Sequence, residues 1–163
     1  MSVEQVSILG LCFGMVLALR QISMNSATAK WNRLNRTLDY SLVTNSELAA
    51  TRRVIHASSL GRLPETSVRD FPPIAPEALS GLTEDDDRAI RTLLAHLQGL
   101  AVACRHDVAD ERVARELLGT TVMKYWQWLG PYVDQYRLGP NPEYLRELQL
   151  MVEDWIEAEK RRV

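Results

Sequence analysis

From Gln5 to Leu19 no side chain carries a charge, and Val6 to Leu19 reads VSILGLCFGMVLAL. This run constrains the fold more than any other stretch. Ile8, Leu9, Leu11, Phe13, Val16 and Leu17 cover every side of a helix, and a helix apolar all round is deeply buried or sits in lipid. Fifteen helical residues extend roughly 22 Å, short of the ~30 Å hydrocarbon core of a bilayer. Val3, Glu4, Arg20, Gln21 and Ile22 lengthen the run to about the 20 residues that a span needs. Arg20 can carry its charged head out to the interface while its stem stays apolar. A cleaved secretory signal fits poorly. No basic residue precedes the run, and Ala27-Thr28-Ala29 lies well past it rather than just after it. The sequence predicts an uncleaved single-pass anchor over residues 1–24.

Arg20, Lys30, Arg33 and Arg36 follow the run. By the positive-inside rule they place residues 25–163 on the cytoplasmic side. They also form a juxtamembrane basic set that favours anionic headgroups. The lipid bilayer is thus the first expected partner. Ser7, Gly10, Gly14 and Ala18 form a small-residue stripe that includes a G-x-x-x-G step. Such a stripe lets two backbones approach closely in lipid, so a homo-oligomer is expected. Cys12 and Cys104 are the only thiols and neither belongs to a Cys/His grouping. Two isolated thiols agree with a reducing compartment.

The rest of the chain shows no clean alternation and so no strand. The fold class expected is all-α: the amino-terminal membrane helix and then a bundle of about five helices over 25–163. Trp31, Leu34, Leu38 and Leu42 mark one face of a helix over Ser26 to Val43 that continues from the anchor. Thr44-Asn-Ser-Glu47 has the capping-box pattern, which starts a helix ending near Ser58–Gly61. Residues 62–82, with Pro64, Pro72, Pro73, Pro76 and Gly81, form an irregular but ordered loop that Val68, Phe71 and Ile74 pin to the body. Thr83 and the acids 84–87 open a core helix with Ile90, Leu93, Leu94, Leu97, Leu100, Ala101 and Cys104 on one face. Asp110 caps a short helix closed by Gly119, and Thr120 or Thr121 opens another that Pro131 kinks. Asn141-Pro142 caps the last helix, which carries Leu145, Leu148, Val152, Trp155 and Ile156 on one side.

Charge excludes some functions. The net charge is −2, so there is no global basic field and nucleic acid is not an expected partner. Residues 1–60 hold six Lys and Arg against three Asp and Glu, and the remainder 13 against 18. No metal site or cofactor is expected. The four acids 84–87 point in different directions on a helix, and His56 and His106 have no ligand-spaced partners. Ser41, Ser58 and Ser59 lack a nucleophile-elbow context. Trp126, Trp128, Tyr132 and Tyr136 have the rings to stack bases, but helical spacing in an acidic surround favours packing.

Several short elements, in order, carry a resemblance. They are Arg36-Thr-Leu-Asp-Tyr40, Ala50-Thr-Arg-Arg-Val54, Leu100-Ala-Val-Ala-Cys-Arg105, Val108-Ala-Asp-Glu111, Leu118-Gly119, Lys124-Tyr-Trp126, Pro131-Tyr132 and Asn141-Pro142. Together they resemble an uncharacterised bacterial family of small helical proteins with one amino-terminal membrane helix, a domain of unknown function. The resemblance implies the helical fold and a place in the bacterial inner membrane, and it implies no activity. In outline the chain is also similar to membrane ancillary proteins of RNA-targeting CRISPR systems, whose helical domains are distantly like HEPN nucleases. That similarity implies an antiphage-defence role, with room for a protein partner. HEPN ribonucleases share an R-x4–6-H motif, and Arg91-Thr-Leu-Leu-Ala-His96 has the spacing. The chain departs from the motif at Thr92, where the family has Asn, Asp or His. An Arg for phosphate and a His as base would suffice for metal-independent RNA cleavage. Five residues on a helix nevertheless separate the two by roughly 140°.

The sequence therefore favours a non-enzymatic, membrane-anchored, self-associating helical module. Its alternatives are a divergent ribonuclease using Arg91 and His96, and a soluble all-α interaction domain with a buried first helix.

Overall fold

The computed structural model describes residues 3–40, 46–61, 67–68, 71–139 and 141–161, with side-chain surroundings from Met15 onward except at Val16 and Glu47. Among the described residues the chain is all-α, with no strand. Its helices are α1 (Val3–Asp39), α2 (Ser46–Ala57), α3 (Pro76–Leu79), α4 (Glu84–Arg105), α5 (Glu111–Trp128), α6 (Gly130–Arg137) and α7 (Arg146–Lys160).

The body is built around α4. Its apolar residues recur every three to four positions, and Ile90, Leu93, Leu94, Leu97 and Leu100 are fully enclosed. It packs against α2, α5 and α7. Thr83 starts it with a reciprocal cap: its hydroxyl accepts from the Asp86 amide at 3.2 Å, and Asp86 accepts from the Thr83 amide at 2.9 Å. Between α2 and α4, Phe71 and Ile74 are buried, and residues 76–79, expected to be irregular, instead form the short helix α3, whose first turn Pro76 can occupy because it needs no amide there. Ile74 donates its amide to the Trp128 carbonyl at 3.0 Å, satisfying an acceptor left free where α5 ends.

Three further local expectations are corrected. First, α5 does not stop at Gly119 but runs unbroken to Trp128. Gly119 lies mid-helix under α7 instead: a Cβ there would meet the Trp155 ring in ordinary contact at 3.7 Å and Arg115 Cγ of its own helix at 3.3 Å. Second, Pro131 does not kink a helix. It stands in the first turn of a separate one, α6. Third, Asn141-Pro142 does not cap α7. Those residues form a turn, with the Tyr144 amide on the Asn141 carbonyl at 3.1 Å, and α7 begins after Leu145 at φ 60°. No local side chain caps it. Gln98 of α4 accepts from the Leu148 amide at 2.9 Å and takes that role from across the body. The expected cap at residues 44–47 falls partly outside the described residues, as do Leu42 and Val43.

α1 is one continuous helix of 37 residues, roughly 55 Å long, with no break at residue 24. Among its described side chains, those near the carboxy-terminal end meet the body, against α5. The Thr37 hydroxyl accepts from the Asp110 amide at 2.8 Å and donates to the Arg33 carbonyl at 2.8 Å. Arg33 lies 3.8 Å from Asp107. Every described side chain from Met15 to Asn32 is exposed, including Met15 at 68%, Ile22 at 64% and Trp31 at 62%. Among the described residues no helix is long and apolar enough to cross a membrane. The apolar run up to Gly14 falls outside the described side chains.

Candidate functional site

Asp87, in the first turn of α4, gathers a polar cluster. It accepts from Tyr132 Oη at 2.5 Å and Tyr136 Oη at 3.1 Å, and pairs with Arg91 at 2.6 Å, one turn along its own helix. Tyr136 stacks on Tyr144 with centroids 5.5 Å apart. Burial, and then the hydrogen bonds to Asp87 and Tyr136, push the Tyr132 hydroxyl far above its ordinary range. It is a neutral donor at any physiological pH. The cleft beside this cluster, about 500 Å³, is lined by Leu79, Leu82, Asp87, Tyr132 and Tyr136. Arg91 and the two tyrosine hydroxyls answer the Asp87 carboxylate, so the cluster clasps α6 to α4.

A second cluster joins α2 to α5. Arg52 Nε donates to Tyr125 Oη at 3.1 Å, and His56 Nε2 lies 3.4 Å from the same oxygen. Burial raises the Tyr125 hydroxyl, and the Arg52 charge partly opposes that. Cys104 is buried, and its thiol is pushed up to about 12, first by burial and then by Glu111 and Asp110. It is an inert core thiol.

The structure does not bring Arg91 and His96 together. Arg91 is held by Asp87. His96 lies toward the end of α1, 3.3 Å from the Tyr40 carbonyl and 5.2 Å between ring centroids from Tyr40. The acids 84–87 diverge: Glu84 and Asp85 pair with Arg88, Asp86 caps, and Asp87 binds the tyrosines. Among the described residues no group of three His, Cys, Asp or Glu can hold a metal ion. Ser58 and Ser59 donate to the Ile55 and Ala78 carbonyls, while Ser41 lies outside the described residues. Of the juxtamembrane set, Arg20 and Lys30 are exposed, Arg36 pairs with Asp39 at 3.7 Å, and Arg33 faces Asp107. Of the small-residue stripe, Ala18 is exposed, and Ser7, Gly10 and Gly14 lie outside the described side chains.

Sequence reasoning missed the Asp87 clasp. The i,i+4 spacing of Asp87 and Arg91 was legible, but the tyrosines stand 45 and 49 residues away. Both clusters tie helices of the body together, while the described side chains of α1 from Met15 to Asn32 stay exposed.

An all-helical domain with a long projecting first helix is the class that this geometry defines. The chain belongs to a family catalogued as a domain of unknown function, DUF4760, whose model matches residues 8–155. That match begins inside α1, so helix and body are matched as one unit. No curated protein and no solved structure matches the chain.

Proposed function

We propose that this protein is a membrane-anchored, self-associating helical module in which α1 holds the body at a bilayer. One observation carries the reading. The charge-free run heads a continuous helix whose described residues Met15 to Asn32 stay off the body. A charge-free run at the head of such a helix needs an apolar surface around it, and lipid supplies one on all sides at once. Arg20, Lys30, Arg33 and Arg36 then sit where anionic headgroups attract them. Ser7, Gly10, Gly14 and Ala18 supply close contact between two such helices.

Fractionation of the full-length chain tests the anchor. It is expected in the membrane pellet after an alkaline carbonate wash and in solution only with detergent. Recovery in the detergent-free supernatant overturns the reading. Gly10→Ile with Gly14→Ile is expected to weaken self-association in the membrane. In a defence role at the bacterial inner membrane, induced expression depolarises cells and the same double variant abolishes it. Unchanged depolarisation refutes that role.

A further inference from the structure

The second half of α1 poses a separate problem. Between Ser23 and Asp39 the apolar residues are Met24, Ala27, Ala29, Trp31, Leu34 and Leu38. All but Ala29 fall within roughly 80° of the helix circumference. An amphipathic helix of a globular protein turns its apolar stripe onto its own body, and this one, apart from half-buried Leu34, does not. The body takes the polar side, through Thr37 and Arg33. Met24 remains 56% exposed, Trp31 62% and Leu38 44%.

We propose that this stripe pairs with the same stripe of a second copy, as a parallel two-stranded coiled coil over Met24 to Leu38. The spacing of the five residues is three, four, three, four, which makes Met24, Trp31 and Leu38 the a positions of a heptad and Ala27 and Leu34 the d positions. The stripe is narrower than the face a helix presents to a globular core, and it has the width of a coiled-coil seam. Such a seam needs a partner helix with the same 3.5-residue period, and an identical chain in parallel register supplies it at every layer. The positions beside the seam are Ser23, Thr28, Lys30, Asn35 and Thr37, the last already buried against the body. Only Lys30 is charged, and in parallel register it meets the second copy's Asn35, so no like charges oppose. Arg20 occupies the d position one heptad earlier, which ends the seam near the expected membrane surface. The parallel direction rests on the anchor reading above, and the seam itself does not.

Cysteine scanning of the full chain tests it, in a Cys12→Ser background with the buried Cys104 retained. Facing a positions lie within the Cα separations a disulfide spans, roughly 4.4–6.8 Å. Met24→Cys, Trp31→Cys and Leu38→Cys are each expected to form a covalent dimer on mild oxidation, and Asn25→Cys and Asn32→Cys are not. Met24→Glu with Trp31→Glu is expected to abolish the dimer seen by sedimentation in detergent. Cross-linking at Trp31 alone indicates antiparallel helices and overturns the proposal. Equal yields at all five sites, or none at the seam because the stripe lies on lipid, overturn it too. Seam cross-links in a chain recovered from the soluble fraction support the pairing while refuting the anchor. A membrane-bound chain without them does the reverse.

Discussion

α1 and α4 invert the usual relation between apolar content and burial. α4 opens with four acids, yet ten of its 22 residues are buried. α1 contains the longest charge-free run in the chain, yet Thr37 alone of its described side chains is buried. The difference lies in pattern. The apolar residues of α4 recur along one face and close against three neighbours. Those of α1 first surround the helix and then narrow to a stripe that, apart from half-buried Leu34, stays exposed. Apolar content alone says that a helix wants cover, and its angular distribution says what kind.

That contrast predicts unequal responses to substitution, measured as urea unfolding of the full chain in mild detergent. The largest loss is expected for Trp155→Ala, about 3–5 kcal/mol. Trp155 is 1% exposed, packs over Gly119 and donates to Glu111 at 3.0 Å. Asp87→Ala should cost about 1–3 kcal/mol, because the Tyr132 and Tyr136 hydroxyls lose their acceptor. Gly119→Val falls in the same range, about 1–3 kcal/mol, by forcing α7 away from α5. An unchanged unfolding midpoint in Gly119→Val would show that the helices can part without strain.

Alkaline pH sharpens the contrast further. Cys104 is pushed from its ordinary 9.0 up to about 12. Between those values the folded chain keeps the proton and the unfolded chain has lost it. Stability from this group is therefore whole below pH 9 and declines as pH rises to about 12. Tyr125, Tyr132 and Tyr144 are raised as well and add to the decline at the alkaline end. Cys104→Ala should make the fall of the urea midpoint with pH shallower. The smallest effect is expected in α1, where Met24→Ser should change the stability of the body by less than about 0.5 kcal/mol. A cooperative loss from Met24→Ser would mean that α1 and the body unfold as one unit.

The core of α4 and the face of α7 were legible because helical period writes burial directly into the residue order. The cap at Thr83 was legible because both of its halves lie within four residues. Gly119 misled because glycine can mark a helix end or lie mid-helix under a neighbour, and only Trp155, 36 positions on, decides between them. The start of α7 misled for a similar reason. A local cap at Asn141-Pro142 was readable, whereas the amide actually capped, at Leu148, takes its acceptor from α4. Of the candidate sites, the motif from Arg91 to His96 was a matter of spacing alone. Its two residues are engaged by Asp87 and by Tyr40, neither of which the motif mentions.

Periodicity and composition were enough to establish an all-helical chain, its central helix and a continuous leading helix with an apolar head. Those properties depend on residues a turn or two apart, which the backbone brings together in any folded arrangement. Which side of α1 meets the body, where α5 ends, and that Asp87 gathers two tyrosines were decided by tertiary packing alone. Each depends on groups distant in the chain, and the amino-acid order holds no local record of which distant surface arrives.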